Sequence, residues 1–521
     1  MSTHTFTSWD GRGHTDLNSR CGLASRLVGV ACVLVACVQS TAAHADQIQA
    51  GAAKVDITSE DTLVNDRLFV KALVLQNEQV VVAIVTVDAV AIGEIGHIGN
   101  DYLGNVRARV ERELGIPPTN VLINASHCHG VVCADVEERT FEAIRQAHGN
   151  VVPVQVGTGV GREDRIMENR RLLLKNGREV DVRHAYSMPP DEEVAAVGPI
   201  DPEIGVLRLD KADGSPLAVL YNFACHPIQG VPSGGNTADV TGFASQVIED
   251  NLGEGTVALF VQGCAGDINP VFYKDVDHPR SAEPLGNMLG LSTLQAVRRV
   301  RTSSDKRLTI RSEQLALPRA DFAERIAAME AEQTRLLRSL RGTSLNLKTF
   351  IPLVVKYNVS SEFPSYYSHR YLHDKSLGRD DLDKLDAENR RNMQQYIRNI
   401  NTMEQLTRIN TNLALLRKHQ ADNVAAGSRT LDVELACLRV GDFVLTTFPG
   451  ELTVRIGLNI KRSSPHESTF VAGYTNGYIY YAPTTEQLRN AGGAQEDSDC
   501  LLAPEWQAIY EAKAAEMLGE L

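Results

Sequence analysis

Apolar runs alternate with segments of helical spacing over the first 300 residues. The continuous apolar run at 80–88 is typical of a strand buried on both faces, whereas 97–115 has the spacing of an amphipathic helix. Another apolar strand follows at 121–123. Strand, helix and strand in this order indicate parallel pairing. We therefore expect an α/β fold whose core is a mixed, largely parallel sheet with flanking helices.

The alternation continues beyond these elements and then changes. Further strands are predicted at 50–58, 68–76, 216–224, 257–262 and 430–447, and further helices at 136–148, 239–252, 282–301 and from about 503. Residues 319–341 and 379–420 are rich in Glu, Arg, Gln, Leu and Ala, with helical periodicity. We expect 319–422 to be an all-helical insertion that packs over or beside the sheet. It is either a plain helical hairpin or a lid or dimer surface.

The first 45 residues have the pattern of a secretory signal peptide. Three arginines precede an apolar run at 27–38, and Ala43 and Ala45 supply the small residues of a cleavage site. We expect cleavage after Ala45 and a secreted or periplasmic protein. Alternatively, the Leu-Val-Ala-Cys sequence ending at Cys37 is a lipoprotein cleavage box that anchors the protein through a lipid. No later apolar run reaches the length that spans a bilayer, so no transmembrane segment is expected.

Composition narrows the class of partner. The 521 residues contain 65 Asp and Glu against 52 Lys and Arg, giving a net charge of −13, which argues against nucleic acid as the main partner. Six cysteines follow the predicted leader, and some could pair in an exported protein. They contain no CxxC motif, so a cysteine-rich zinc site is not expected. The oligomeric state is left open.

Two histidines follow the strand at 121–123. Residues i and i+2 of an extended strand share a face, so His127 and His129 should project together and Cys128 should point away. Two imidazoles at the end of a buried strand can bind a divalent metal. The alternative is a pair of polar side chains satisfied by hydrogen bonds.

Other predicted strands also end in titratable side chains, namely Asp88, His226, Asp267 and Glu451. Their recurrence implies a shared cleft at the strand ends. Two or three histidines and one carboxylate form a ligand set for zinc with an open water position. Glu451 could instead be an ordinary carboxylate in the first turn of a helix. The glycine-containing turn at 263–270 could let backbone N–H groups approach a ligand or an oxyanion.

Six short motifs, in one order over about residues 50–490, resemble the catalytic domain of the neutral, non-lysosomal ceramidases. They are Ala-Ser-His-Cys-His-Gly at 125–130, Asn169-Arg170, Asn-Phe-Ala-Cys-His at 222–226, Gln262-x-x-x-Gly266-Asp267-x-x-Pro270, Pro-Gly-Glu at 449–451, and Asn476-x-Tyr478-x-x-Tyr481.

This resemblance implies one zinc ion held by His127, His226, Glu451 and Tyr481, and hydrolysis of an N-acyl amide by zinc-bound water. The positions of His129 and Arg170 match groups that contact substrate or support the ligands. Asp267 and Asn269, in the Asp-x-x-Pro loop, are candidate catalytic residues together with His129 and Arg170. Residues 46–521 would then form one ceramidase-like zinc hydrolase domain of sphingolipid metabolism. Its substrate would be an N-acyl lipid or another small molecule, which leaves room for peripheral contact with a membrane.

Three departures from the family pattern bear on the substrate. Asn269 stands where the family has serine, and the stretch 492–495 lacks a second active-site tyrosine. The third departure is that the family's C-terminal β-sandwich domain is not matched. In addition, the helices at 319–422 have no counterpart in the family pattern. Two alternatives therefore stay open: a zinc hydrolase for a non-lipid ester or amide, and a non-catalytic binding protein that keeps the fold.

Overall fold

The computed structural model describes residues 47–182, 188–231, 234–273, 275–490 and 493–521. The strands in this part of the chain are β1 (Gln49–Asp56), β2 (Phe69–Gln76), β3 (Val81–Val87), β4 (Val121–Ala125), β5 (Val152–Arg162), β6 (Met167–Asn169), β7 (Arg171–Leu174), β8 (Glu179–Asp181), β9 (Val194–Val197), β10 (Glu203–Lys211), β11 (Pro216–Phe223), β12 (Val257–Gln262), β13 (Ile268–Pro270), β14 (Leu308–Pro318), β15 (Thr430–Val440), β16 (Phe443–Thr447), β17 (Glu451–Leu452), β18 (Thr469–Ala472) and β19 (Tyr481–Ala482). The predicted leader at 1–45, with Cys37, lies outside the described residues, so it and the single hydrolase domain at 46–521 stay predictions.

The α-helices of the described residues complete the secondary structure. They are α1 (Tyr102–Leu114), α2 (Val136–Gly149), α3 (Asp239–Leu252), α4 (Glu283–Val297), α5 (Ala323–Ser339), α6 (Leu347–Val359), α7 (Ser368–Ser376), α8 (Asp381–Ala425), α9 (Val454–Ser463), α10 (Thr485–Leu488) and α11 (Trp506–Gly519).

An eight-stranded sheet has the order β12-β11-β10-β5-β1-β2-β3-β4. The pairs at its two edges, β3 with β4 and β11 with β12, are parallel. The five pairings between them are antiparallel. The prediction of an α/β fold with a mixed sheet and flanking helices is confirmed. Parallel pairing is less extensive than expected, because the connections from β1 to β2 and from β2 to β3 contain no helix and join antiparallel neighbours.

A second sheet of four strands, in the order β14-β15-β16-β18, packs on the first. Buried side chains from both sheets form one apolar core, which includes Leu73 and Leu220 from the first sheet and Leu438 and Phe470 from the second. Helices α1 to α4 cover the outer face of the first sheet, and α9 and α11 cover the outer face of the second. The fold is therefore a four-layer arrangement of helices, sheet, sheet and helices.

The helices at 319–422 are inserted between two adjacent antiparallel strands. Pro318, the last residue of β14, pairs with Thr430, the first residue of β15, so the chain leaves and returns at one point. The 45-residue α8 is the longest helix of the described chain. Its buried residues lie mostly in its C-terminal half, where His419 contacts Asp499. No described helix, here or elsewhere, combines the length and apolar character needed to cross a bilayer.

Candidate metal centre

Three buried side chains from separate parts of the chain converge at the carboxyl ends of parallel strands. His127 follows β4, His226 follows β11, and Glu451 lies beyond β16. One potential ligand atom from each lies within 4.8 Å of the other two. The exposed fraction of each residue is at most 2%. This group of His127, His226 and Glu451, the three-residue cluster, could hold a metal ion.

His127 enters the cluster from a turn and not from a strand. β4 ends at Ala125, and His127 has a φ of 66°, in the left-handed region. Its ring is buried, whereas His129 is exposed with its ring centroid 5.4 Å away. The two rings are neighbours, but they do not share the face of a strand as expected. The strand ends before His127, and the alternation of side chains does not extend through a residue with a left-handed φ. Cys128 is buried in the apolar core, as its predicted direction requires.

Backbone carbonyl groups orient both buried imidazoles. His127 Nδ1 lies 2.6 Å from the carbonyl oxygen of Val90, and His226 Nδ1 lies 3.0 Å from that of Ile268. A carbonyl oxygen only accepts, so Nδ1 must carry the hydrogen in each ring. A neutral imidazole with this tautomer presents a lone pair at Nε2, which is the arrangement that metal-binding histidines adopt.

The Nε2 atoms of both rings face one carboxylate oxygen. Glu451 Oε2 lies 3.4 Å from Nε2 of His127 and 3.2 Å from Nε2 of His226. Burial and the charge of Arg170 lower the pKa of His226 to about 3, so this ring is neutral near pH 7. Its Nε2 lone pair therefore faces a lone pair of the carboxylate, which is repulsive without a cation between them. The donor set thus fits a divalent metal.

Two tyrosines hold the Glu451 carboxylate. The Tyr478 hydroxyl donates to Oε1 at 2.7 Å, and the Tyr474 hydroxyl donates to Oε2 at 3.3 Å. Burial and the Glu451 charge raise the pKa of both tyrosines, which keeps them protonated donors.

Sequence reasoning assigned neither Tyr474 nor Tyr478 to the site. The signal that could have found them is their position: Tyr474 follows the apolar run of β18, at the same sheet edge as the other strand ends. Tyr474 has a left-handed φ of 52°. Such a turn conformation cannot be read from residue type, so the direction of the side chain toward Glu451 was not predictable.

Tyr481, the fourth predicted ligand, lies beside the cluster. β17 and β19 are parallel, and Glu451 pairs with Tyr481 in their register. Tyr481 is buried, and its ring lies 5.6 Å from the Arg170 guanidinium. Its assignment as a ligand stays a prediction.

The loop that carries Asp267 and Asn269 supports the cluster from behind. Asp267 accepts hydrogen bonds from Asn169 and from the backbone N–H of Val454, at the start of α9. Asn269 accepts a hydrogen bond from Arg170 at 3.0 Å. Between them, Ile268 supplies the carbonyl that orients His226. Asp267 and Asn269 thus lie in the loop that orients His226, and their catalytic assignment stays a prediction.

Gly266 is explained by close packing of backbone. A Cβ atom there would lie 2.5 Å from the carbonyl oxygen of Glu451 and 2.9 Å from that of Leu452. The Gly266 N–H donates to the Leu452 carbonyl oxygen at 2.8 Å. This donor serves the strand that carries Glu451, so it is not directed at an oxyanion, as the glycine-containing turn had suggested.

Arg170 belongs to a buried layer of charged groups next to the cluster. Its Nε lies 2.7 Å from Glu496 Oε1, and its Nη2 also donates to the Gly266 carbonyl oxygen. Arg171 contacts Glu496 at 3.4 Å and Asp497 at 2.5 Å. All four charged residues are at most 2% exposed. Arg170 is thus held by buried partners beside the candidate metal ligands, and its catalytic assignment stays a prediction.

A cavity of about 670 Å³ lies between the inserted helices and the small sheet of β7 to β9. Its walls include apolar side chains such as Leu174, Met329 and Ile409, together with Arg325 and Arg408. The three-residue cluster contributes nothing to these walls. Arg325 instead donates to the Asp497 backbone carbonyl, so the layer of charged residues links the cavity to the candidate metal centre.

Comparison with known proteins defines the fold. No protein-family model and no curated protein sequence matches the chain. The crystal structure of neutral ceramidase from Pseudomonas aeruginosa matches with a TM-score of 0.57 and 15% sequence identity, covering 91% of this chain and 75% of that chain. A structure of a ceramidase complexed with C2 matches with a TM-score of 0.56 and 16% identity, over the same shares. The chain therefore has the fold of the neutral ceramidase structures, as the six motifs indicated.

Proposed function

We propose that this protein is a zinc-dependent hydrolase that cleaves an N-acyl amide bond. The observation that carries the proposal is the position of Glu451 Oε2, within 3.4 Å of Nε2 of both His127 and His226. Two imidazoles with the hydrogen on Nδ1 and a buried carboxylate are a zinc ligand set, and Tyr481 is the proposed fourth ligand.

Each residue then has a defined task. Zinc in this position would supply a Lewis acid for the amide carbonyl and lower the pKa of a water molecule to about 7. The carbonyl groups of Val90 and Ile268 keep the two imidazoles in the metal-binding tautomer. Tyr474 and Tyr478 fix the Glu451 carboxylate. His129 is exposed beside His127 and is the group placed to contact the substrate.

The proposed substrate class rests on two supports. The chain shares its fold with structures that bear the name ceramidase, and the ceramidase motifs coincide with the residues that converge in the structure. Asn269, where the family has serine, hydrogen-bonds Arg170 and so changes the protein's own network beside the ligands. We therefore propose an N-acyl amide as the substrate class and do not assign ceramide itself as the substrate.

A substrate panel tests the function. Zinc-loaded protein is assayed on a fluorogenic N-acyl sphingosine, on N-acyl amides with other amine parts, and on non-lipid amides and esters. We expect release from an N-acyl amide, loss of release in His226→Ala, and full release in His97→Ala, which changes an exposed histidine that is not a member of the cluster. Product release from esters alone would contradict the amide assignment and identify the protein as an ester hydrolase. No release on any substrate, or equal release by His226→Ala, would contradict the proposal.

We also propose that residues 1–45 direct export. The support is the sequence pattern of charged, apolar and small residues that ends at Ala45. N-terminal sequencing of the protein recovered from the periplasm or medium tests this. A start at Asp46 is expected. A lipid-modified start at Cys37 would indicate the lipoprotein alternative, and an intact Met1 in the cytoplasm would contradict export.

A further inference from the structure

Helix α6 carries a row of exposed apolar side chains. Leu347, Ile351, Val355 and Val359 are spaced four residues apart and are 62%, 50%, 56% and 82% exposed. Residues i and i+4 lie one above the other on a helix, so the four side chains form one continuous row. Contiguous exposed apolar surface of this kind marks a place where a protein contacts another phase or molecule.

The opposite face of α6 is already packed within the insertion. Phe350 stacks on Tyr396 of α8 with ring centroids 4.5 Å apart, and the Tyr357 hydroxyl donates to Asp386 at 2.7 Å. The Asn346 side chain caps the N-terminus of α6 by accepting hydrogen bonds from the backbone N–H groups of Lys348 and Thr349. The inner face of α6 is therefore held against α8 by these contacts. The outer row is a second apolar face of the same helix.

Charge around the row is opposite in sign to that of the whole chain. Residues 340–380, between α5 and α8, contain six Lys and Arg against three Asp and Glu, whereas the chain carries a net charge of −13. Helix α6 itself has Lys348 and Lys356 and no acidic residue. Each lysine follows a residue of the row by one position, about 100° around the helix, and so flanks it.

Aromatic side chains extend the exposed surface. Tyr366 and Tyr367, in the connection to α7, are 56% and 82% exposed. An apolar helix face flanked by lysine, with aromatic residues nearby, is the pattern of helices that lie in the interface of a bilayer. Anionic head groups complement the positive segment.

We propose that α6 docks this protein on the surface of an anionic lipid bilayer, with the row of Leu347, Ile351, Val355 and Val359 entering the head-group region. A second copy of the chain is a poorer occupant, because an isologous contact through α6 would bring two positively charged segments together. The docking is independent of amide hydrolysis, since none of these residues belongs to the candidate metal centre.

Vesicle binding of the full chain tests this surface. Sedimentation with vesicles of phosphatidylglycerol and phosphatidylcholine is compared with sedimentation with phosphatidylcholine alone. We expect binding to the anionic vesicles that weakens at high salt. The double variant Ile351→Ser/Val355→Ser and the double variant Lys348→Gln/Lys356→Gln should each lower the partition coefficient by about tenfold.

The matched control is Leu291→Ser/Val424→Ser, which removes two apolar side chains that are 53% and 69% exposed on other helices. It should bind vesicles as the unmodified protein does. All variants should keep the same circular dichroism and metal content. The proposal is overturned by absent binding to anionic vesicles, by equal binding of the α6 variants, or by equal, salt-insensitive binding to phosphatidylcholine. A dimer without lipid that only Ile351→Ser/Val355→Ser dissociates would assign the row to a second copy instead.

Discussion

The carbonyl oxygen of Ile268 lies 3.0 Å from Nδ1 of His226 and also accepts the His226 backbone N–H at 3.1 Å. One residue of the Asp-x-x-Pro loop thus fixes both the backbone and the ring of a candidate ligand. The ring then presents its Nε2 lone pair to Glu451 Oε2 at 3.2 Å. Loop and ligand therefore form one unit, and a change in the loop should alter metal binding through the position of His226.

Removing the Tyr478 hydroxyl should weaken metal binding. Tyr478→Phe takes away the 2.7 Å hydrogen bond that orients Glu451 Oε1, and loss of such support typically costs about 10- to 100-fold in metal affinity. Competition with a chromophoric zinc chelator measures the affinity. Tyr480→Phe is the control, because the Tyr480 hydroxyl contacts Glu94 and Lys418 and not Glu451. Equal affinities of the two variants would contradict the role given to Tyr478.

Loss of the negative charge of Glu496 should destabilise the fold. The Glu496 carboxylate lies 2.7 Å from the buried guanidinium of Arg170. Glu496→Gln removes the negative charge that balances this guanidinium, and breaking a buried ion pair in this way costs about 3 kcal/mol or more. Urea denaturation gives the free energy of unfolding. Glu505→Gln, at an exposed position, should leave it unchanged. A loss below about 1 kcal/mol for Glu496→Gln would show that the buried layer is not held by this pair.

Asp88 should make stability fall as the pH rises. Burial raises its folded-state pKa to about 6, against about 3.9 in the unfolded chain, so the folded state binds this proton more tightly. The stabilisation is fully present below about pH 4 and is lost as the pH rises to about 6. Asp88→Asn removes the titration.

The free energy of unfolding of Asp88→Asn relative to the unmodified protein should therefore increase by about 2 kcal/mol between pH 4.5 and pH 7. Urea titrations at the two pH values measure it. Asp101→Asn, at an exposed position, is the control and should show no such change. If the difference in free energy of unfolding between Asp88→Asn and the unmodified protein is the same at both pH values, the buried Asp88 carboxyl has an ordinary pKa and the prediction is wrong.

The sequence predicts the parts of this fold that depend on apolar periodicity. Strands β3, β4 and β12 lie where the apolar runs indicate, and α5 and α8 begin and end close to the periodic stretches at 319–341 and 379–420. Helices α6 and α7, between those stretches, were not predicted individually. The stacking of a second sheet was not predictable, since both sheets contribute similar buried strands. Parallel pairing was overestimated because short β-turns connect strands as readily as helices do.

The residues of the candidate site were also only partly predictable from the sequence. His127, His226 and Glu451 were identifiable because each is a metal-binding residue type at the end of an apolar strand, and these ends meet at one edge. The separation of His127 from His129 was not predictable from strand geometry, because it depends on a left-handed φ. The contact of Tyr478 with Glu451 likewise depends on loop conformation.

Metal content is the most direct measurement of the central claim. Protein expressed with added zinc and freed of loosely bound metal is analysed by inductively coupled plasma mass spectrometry. We predict about one zinc per chain in the unmodified protein and in His97→Ala, and below about 0.2 in the double variant His127→Ala/His226→Ala. A value below about 0.2 in the unmodified protein, or an equal value in the double variant, would contradict a zinc site at this cluster.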